Sequence, residues 1–273
     1  SSDNALKGTD AGDQPEHSFI ESYDFNTFNV HNRDKWRSGY WGAARANDVI
    51  NSVAEAEDIS AARAAEIVGE AKFIRGWQHF EMQKMYRTPK YVSEANFTLD
   101  DLEASKVPNT GKIWANIIQD FADAATALPA TQTEAGRATK WAALAYQAKA
   151  LVYSGDYTSA LPILENIVNN GPYTLVDKFE DNYLVATRNN SESIFEIQYA
   201  VSSADTNASN AEIGLAHPYI APWGCCGFLQ APQDLVDFFQ TDANGLPLLD
   251  ESWKTNNITN KKVIISFASN WYS

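Results

Sequence analysis

Apolar side chains recur at helical spacing along most of the first 170 residues, and this repetition constrains the fold more than any other feature. The two longest segments read YWGAARANDVINSV from Tyr40 and AAEIVGEAKFIRGWQHFEMQKMY from Ala64. Three shorter segments follow between residues 110 and 170. Apolar residues three to four positions apart share one face of an α-helix. The pattern therefore predicts a mainly α-helical body over about residues 36–170, with at least two antiparallel helix hairpins packed side by side.

Residues with strong positional preferences mark the ends of these helices. Ser60 stands where an N-cap is expected, and Pro129 stops the helix that starts near Thr110. Ser154-Gly155-Asp156 combines a helix end, a left-handed turn and a new N-cap. The two helices on either side of this turn look like a tetratricopeptide hairpin. Such a hairpin cannot bury both faces alone, so we expect it to pack on the earlier helices.

The sequence changes character after Asn170, where Asn, Ser, Gly and Pro become dense. Phe195 and Ile197 alternate with Glu196 and Gln198, which predicts a strand with one buried face. Residues 202–232 form a long loop of a kind that is usually functional. The expected fold is mainly α, with tetratricopeptide-like hairpins packed as an α-α superhelix and a loop-rich region with minor strands after residue 190.

Composition and motifs argue against several classes of function. The net charge of −14 disfavours nucleic acid as a partner. The longest apolar runs are too short to span a membrane. The four histidines are isolated, and no motif combines a nucleophile, a base and an oxyanion stabiliser. Acidic residues are frequent, so the sequence alone does not exclude two carboxylates that act together as in a glycosidase. We therefore expect no enzyme activity, no cofactor and no bound metal.

Two short features have competing interpretations. Cys225-Cys226 are the only cysteines, and two buried thiols in a tight loop are favoured over a strained vicinal disulfide. Residues 240–251 partly match a calcium-binding loop, but a surface turn is favoured because the first position is Gln.

Three polar residues on the predicted helices are expected to have structural roles. Asn47 shares the apolar face of its helix, so its amide should tie that helix to a loop. Glu70 and Arg75 are expected to be solvated or to form internal ion pairs rather than to act as catalysts.

A series of motifs resembles the N-terminal portion of the SusD-like (RagB/SusD) family, in the family's order, over about residues 36–245. Several matches in series are more specific than one short match. The motifs are Tyr40, Ala46-Asn47, Glu70 to Arg75 (EAKFIR), Phe80, Tyr86, Pro89, Asp120 to Pro129, Gly136 to Leu161, Glu192 to Ile197, Pro232 to Phe239 and Asp242 to Gly245.

The resemblance implies a surface-exposed outer-membrane lipoprotein that captures an oligosaccharide and delivers it to a SusC-like TonB-dependent transporter. It also implies that the helical body contacts the transporter while the loops face the ligand. The chain opens at Ser1 without a signal peptide, a lipid-attachment cysteine or the family's first helix, and full members are about twice as long. We therefore expect residues 1–273 to be a fragment of one domain, comprising a ligand-side loop region (1–35), a helical core (36–170) and a loop-rich region (171–273).

Two aromatic-rich stretches, residues 1–36 and 202–232, have the chemistry that sugar binding requires. Sugar rings stack on Trp and Tyr, and their hydroxyl groups need polar side chains at the ring edge. Packing of Trp36 and Trp223 in the core is an equally favoured alternative for those two residues. The candidate ligand-binding residues are Asp3, Asn4, Asn32, Trp36, Tyr219, Trp223 and Gln230.

The sequence leaves two other functions open. RagB-like relatives suggest a peptide ligand, which no feature of the sequence excludes. A tetratricopeptide scaffold would bind a protein partner through polar and aromatic residues on its concave helix faces. Here such residues concentrate in loops, which favours capture of a small ligand.

We predict that Trp223→Ala weakens oligosaccharide binding by about 1–3 kcal/mol, by analogy with other stacked anchor residues. Pro222 and the glycines Gly224 and Gly227 favour a rigid loop that presents the ring outward, so stability should change little. Calorimetric titration beside a melting curve of the full-length protein measures both quantities. Unchanged affinity with a strongly lowered melting temperature would instead place the indole in the core, where truncation costs about 3–5 kcal/mol.

Overall fold

The computed structural model describes residues 5–97, 106–198, 227–232 and 243–244. The chain divides into two compact units. The terminal unit consists of Ser1–Arg33 and Tyr199–Ser273, and the helical unit is Asp34–Gln198. Each unit is described by itself.

Helices dominate the described residues, which confirms the mainly α prediction. Two single-turn 3₁₀ helices, Phe179–Asn182 and Val185–Thr187, follow the last α-helix. The α-helices are α1 (Pro15–Glu21), α2 (Val30–Glu55), α3 (Ala61–Tyr86), α4 (Trp114–Ala127), α5 (Lys140–Ser154) and α6 (Tyr157–Asn170).

Small residues let α2 and α3 pack closely as an antiparallel pair. A Cβ atom on Gly39 would lie 2.6 Å from the sulfur of Met82, and Ala46 packs with Ala71. As the residue number increases along α2, the residue number of its contact on α3 decreases, so the two helices are antiparallel. The cap of α3 is the predicted one, because the Ser60 side chain accepts a hydrogen bond from the backbone N–H of Arg63.

The main hydrophobic core lies between α3, α4 and α5. Phe80, Ile117 and Phe121 are fully buried, and alanines of α5 complete the cluster. The ring of Phe73 makes edge contacts with Phe121 and with Tyr146, at centroid distances of 5.7 and 5.5 Å. Such edge-to-face pairs stabilise an aromatic core beyond the area that they bury.

The α5–α6 hairpin has the turn that the sequence predicts. Gly155 adopts a left-handed conformation with φ of 92°, which a residue without a Cβ atom reaches without strain. The Asp156 side chain then caps α6 by accepting a hydrogen bond from the Ser159 N–H. The hairpin is therefore tetratricopeptide-like in its turn as well as in its sequence.

One face of α6 is exposed although its residues have helical apolar spacing. Only Ala160 and Ile167 of this helix are buried. Within the described residues no further element covers the opposite face of α6. In a repeat array each helix normally buries such a face against a neighbouring helix. The exposed apolar residues of α6 are Tyr157, Leu161, Leu164 and Val168.

The structure differs from the sequence prediction in three places. Residues 195–198 are not a strand, and Phe195 instead packs its ring on the helical core. Helix α4 begins at Trp114 rather than near Thr110. The region expected to consist of loops near the N-terminus contains helix α1 and strand β1.

A two-stranded antiparallel ladder belongs to the terminal unit. Strand β1 (Leu6–Gly8) pairs with β2 (Phe228–Gln230), with Leu6 opposite Gln230 and Gly8 opposite Phe228. Lys7 is buried and ties this ladder to its surroundings, because its ammonium donates to the carbonyl oxygens of Asp10 and Asp13 at 2.6 and 2.7 Å.

Several predicted features lie outside the described residues. They include most of the 202–232 loop, Cys225-Cys226, the helix predicted over 232–239 and most of the calcium-loop candidate. Among the helices that the structure does describe, none combines the length and apolar content needed to cross a membrane.

Gly69→Ala is expected to destabilise the protein by about 1–3 kcal/mol, through overpacking between α3 and α4. The added Cβ would lie 2.8 Å from the Cβ of Ala127, an atom that cannot move without its helix. Gly42→Ala is the matched control, because the three atoms nearest to the new Cβ all belong to the flexible side chain of Gln78. Equal stability of the two variants in urea unfolding would contradict this account of the close helix crossing.

Candidate functional site

Exposed aromatic side chains cluster in the loop between α1 and α2. This 22–29 loop has the sequence Ser-Tyr-Asp-Phe-Asn-Thr-Phe-Asn. Tyr23 is 75% exposed and Phe28 is 85% exposed, while Phe25 is about half exposed. Asp24 and Asn26 alternate with these rings. The loop therefore displays flat apolar faces beside carboxylate and amide groups.

Backbone contacts at both ends define the 22–29 loop. Ser22 and Asp24 continue from α1, because their N–H groups donate to the carbonyl oxygens of Ser18 and Phe19. Tyr23 has a φ of 59°, in the left-handed region, which turns the chain sharply. Asn26 accepts a hydrogen bond from the N–H of Phe28 and closes a local turn.

Asn29 joins the end of the loop to both flanking helices. Its side-chain oxygen accepts hydrogen bonds from the N–H groups of His31 and Asn32, as an N-cap of α2 does. Its amide nitrogen donates to the carbonyl oxygen of Glu16 on α1, at 3.0 Å. Asn29 is buried, so this small residue anchors a loop whose aromatic side chains remain at the surface.

Two predicted ligand residues, Asn32 and Gln230, lie in the terminal unit. Asn32 is in the first turn of α2 and is partly buried. Gln230 is exposed at the end of β2, opposite Leu6 in the ladder. Their roles in ligand binding stay predictions.

Trp36, the third described candidate, lies in the helical unit and packs within an aromatic group. Its ring centroid lies 4.8 Å from that of Tyr40 and 4.9 Å from that of Tyr86. It is 38% exposed, so it is neither a core residue nor a fully displayed one. The remaining candidates, Asp3, Asn4, Tyr219 and Trp223, lie outside the described residues.

The next exposed aromatic on α2 is Trp41, which sequence reasoning did not single out. The Arg37 guanidinium lies over its ring, 5.0 Å from the centroid. This is a cation–π contact. Trp41 is still 57% exposed, so the indole remains accessible beside a positive charge.

A buried polar network fixes the helices and the segment that follows α3. Arg75 on α3 donates to both carboxylate oxygens of Asp120 on α4, at 2.6 to 3.2 Å. It also donates to the side-chain oxygen of Asn47 on α2 at 2.8 Å and forms an ion pair with Glu94. These contacts confirm the structural roles predicted for Asn47 and Arg75.

The segment 88–97, which we call the pinned segment, is held by backbone contacts. The Tyr40 hydroxyl accepts from the Lys90 N–H and donates to the Lys90 carbonyl oxygen. The Asn47 amide donates to the Val92 carbonyl oxygen, and Asn51 donates to that of Phe97. An irregular segment so firmly attached to helices behaves as part of the rigid scaffold.

Burial and pairing shift the pKa values within this network. Burial raises the pKa of Asp120, and the Arg75 guanidinium and Tyr91 hydroxyl oppose that rise. Burial alone would lower the pKa of Arg75, but its hydrogen bonds and charge interaction with Asp120 raise it. The contact of 2.6 Å between the guanidinium and the carboxylate pairs the two side chains despite the cost of burying them. Burial also raises the pKa of Tyr40 to about 12.

His79 is fully buried and neutral in this environment. Its Nε2 accepts a hydrogen bond from the Val92 N–H, so the proton is on Nδ1, which donates to the Arg75 carbonyl oxygen at 3.0 Å. Burial lowers the pKa of His79 to about 4, with a further contribution from the Arg75 charge. The neutral imidazole is thus a link between α3 and the pinned segment.

Two surface grooves in the helical unit both include Phe195 in their lining. The larger, of about 360 Å³, is lined mainly by apolar side chains of α3, including Ile74 and Trp77. Its charged groups, Glu70 and Arg137, already pair with each other at 2.7 Å. The smaller, of about 290 Å³, lies against α5. Neither groove offers the combination of exposed aromatic rings and exposed polar side chains found in the 22–29 loop.

No three His, Cys, Asp or Glu side chains are grouped as a possible metal site within the described ranges.

Tyr23, Phe25 and Phe28 are not among the ligand-binding residues predicted from the sequence. The signal that could have found them is local, because three aromatics alternate with polar residues in a stretch without helical periodicity.

The chain belongs to the SusD-like family. A family model described as starch-binding and associating with the outer membrane matches residues 10–152, more than half of the chain. The match includes the 22–29 loop, the buried network and helices α1 to α4.

Two curated relatives are SusD-like proteins. One, SusD-like protein P25 from Formosa agariphila, is 24% identical over 169 residues, which is 61% of this chain and 32% of the relative. The other, from Bacteroides ovatus, is 28% identical over 193 residues, which is 64% of this chain and 35% of the relative. The chain thus spans about a third of the length of these relatives.

Solved structures share the fold at low sequence identity. A SusD-like protein from Bacteroides fragilis has a TM-score of 0.72 at 24% identity, over 90% of this chain and 49% of that one. Surface glycan-binding protein A from Bacteroides thetaiotaomicron, solved in complex with laminarihexaose, has a TM-score of 0.71 at 20% identity. That similarity covers 87% of this chain and 53% of the other.

Acidification is expected to weaken the folded state through His79 before most carboxylates titrate. The pKa of His79 in the folded protein is about 4, below the ordinary value of 6.5. The contribution of the neutral imidazole to folding stability is therefore complete above pH 6.5 and is lost as the pH falls towards 4. Between pH 7 and pH 5 this amounts to about 2 kcal/mol of unfolding free energy. Urea unfolding at both values should show a smaller pH dependence for His79→Gln than for the wild type. Identical pH dependence in both proteins would contradict this role.

Proposed function

We propose that this protein binds glycans without chemically altering them, at the surface of the outer membrane. The observation that carries the proposal is the family match over residues 10–152, whose description names starch binding and the outer membrane. The matched range includes two surfaces that display exposed aromatic rings, the 22–29 loop and the exposed face of α2.

The names of similar structures support a carbohydrate ligand. One similar structure contains laminarihexaose, and another is a laminarin-binding SusD-like protein with a TM-score of 0.62. These ligands are oligomers or polymers of a neutral sugar, so an oligosaccharide is the first ligand class to test on this chain.

The geometry of the 22–29 loop suits an oligosaccharide. Exposed rings of Tyr23, Phe25 and Phe28 offer faces on which the C–H surface of a pyranose can stack. Asp24 and Asn26 lie between them in sequence and supply hydrogen-bonding groups for sugar hydroxyls. We propose that this loop is the primary ligand contact in the described part of the chain, and that Asn32 and Gln230 contribute polar contacts.

We further propose that the bound glycan passes to a SusC-like TonB-dependent transporter, which the helical unit contacts. The exposed apolar face of α6 supports a protein contact on this unit, because four large apolar side chains lie open there at helical spacing. Cross-linking from Leu161 and from Tyr23 in a complex with the transporter would distinguish the helical surface from the ligand loop.

Tyr23→Ala and Phe28→Ala are each expected to weaken binding of laminarihexaose by about tenfold or more, as loss of a stacking anchor does. Tyr157→Ala and Phe179→Ala are matched controls, because they remove rings from the helical unit that are also about two-thirds exposed. Isothermal titration calorimetry measures affinity, and thermal melting should be unchanged in all four variants.

Equal losses in the loop variants and the controls would contradict the role of the 22–29 loop. A panel of neutral and acidic hexasaccharides extends the test beyond one sugar. Failure to bind any of them, together with binding to a peptide library, would overturn the proposed function in favour of peptide capture.

A further inference from the structure

A row of charged and aromatic side chains follows the outer face of α2. Arg37, Trp41 and Arg45 are spaced four residues apart, and all three are exposed. At a rise of 1.5 Å per residue, the row extends over about 12 Å of the helix. We call these three residues the α2 stripe.

The ion pairing of the two arginines in the α2 stripe determines whether they can bind an external anion. Neither Arg37 nor Arg45 makes an ion pair within the described part of the chain, although the chain carries a net charge of −14. Two other exposed arginines do have acidic partners. Arg63 pairs with Glu66 at 2.7 Å, and Arg137 pairs with Glu70 at the same distance. The α2 stripe is thus a positive surface on an acidic protein, with its guanidinium groups open to an external anion.

Trp41 gives this positive surface a flat apolar centre. The Arg37 guanidinium lies over the indole at 5.0 Å, yet more than half of the side chain remains exposed. A sugar ring can stack on an indole through its C–H face, and a guanidinium can hold a carboxylate or sulfate oxygen pair by two parallel hydrogen bonds. The α2 stripe offers both kinds of contact within a few ångströms.

A sugar fits this surface better than a folded protein does. A stable protein interface needs about 800 Å² from each partner, which is far more than three side chains on one convex helix provide. A neutral sugar would use the indole but leave both guanidinium groups without a partner. An anionic sugar would engage all three side chains.

We propose that Arg37, Trp41 and Arg45 form a contact for an acidic sugar, one that carries a carboxylate or a sulfate ester. This inference rests on the proposed glycan-binding function and narrows its ligand class to anionic oligosaccharides. The α2 stripe lies on the helical unit and is distinct from the 22–29 loop, so different variants report on the two surfaces.

Three hexasaccharides test the ligand class by calorimetric titration of the full chain: laminarihexaose, hexagalacturonate and chemically sulfated laminarihexaose. We expect at least one acidic probe to bind about tenfold more tightly than laminarihexaose at low salt. Raising the salt from about 0.05 to 0.5 M should reduce that advantage, because exposed charges are screened. The carboxylate and sulfate probes separate the two possible anionic groups.

Substitutions then locate the contact. Arg37→Gln and Arg45→Gln should each weaken binding of the preferred acidic probe about fivefold to tenfold, and leave laminarihexaose binding unchanged. Arg63→Gln is the matched control, since it removes the same charge from an exposed arginine on α3. Trp41→Ala should weaken binding of the acidic probe as well. Melting temperatures should not change, because all these side chains are at the surface.

The outcomes separate this inference from the proposed function. Binding of laminarihexaose that depends on Tyr23 and Phe28, with no preference for acidic probes, would overturn only the inference. Equal effects of Arg63→Gln and the stripe variants would also overturn it, by showing a general charge effect. Binding to vesicles of anionic phospholipid, but not to acidic sugars, would overturn it in favour of a lipid contact. No binding to any hexasaccharide would overturn both proposals.

Discussion

The ion pair between Arg75 and Asp120 is the interaction on which the helical unit depends. Both side chains are only 3% exposed. Removing one partner of such a pair leaves a charge buried without compensation, which typically costs about 3–5 kcal/mol. Because the same guanidinium also reaches Asn47 and Glu94, one side chain joins α2, α3, α4 and the pinned segment. The firm scaffold that results can display aromatic groups at its surface.

The sequence predicted the helices well because their signals are local. Helical spacing, the caps at Ser60 and Asp156 and the left-handed turn at Gly155 involve only neighbouring residues. The strand predicted around Phe195 failed for the opposite reason. Alternation marks a strand only if a partner strand lies beside it, whereas this ring found a place on the helical core. The exposure of α6 likewise depends on which elements pack against it, and helical periodicity does not predict those neighbours.

The candidate site was predictable by region but not residue by residue. Chemistry alone selected Trp36, yet its exposure is decided by packing against Tyr40 on the same helix and Tyr86 on α3. Aromatic residues such as Tyr23 and Phe28 are often buried in proteins, and only the fold shows that these two remain at the surface. Sequence states which groups can stack on a sugar. Burial decides which of them are accessible at the surface, which is why loops on rigid scaffolds so often carry binding residues.

The span of the Arg75 network also sets an order for folding during synthesis. A ribosome releases α2 and α3 before α4, and domains generally begin to fold from the N-terminal side as they emerge. Until Asp120 is available, however, Arg75 has no fully buried counter-charge, so the α2–α3 pair cannot close around it without leaving a charge desolvated. The smallest nascent chain that can complete the Arg75 network therefore extends through α4, and shorter chains must keep the guanidinium in contact with water.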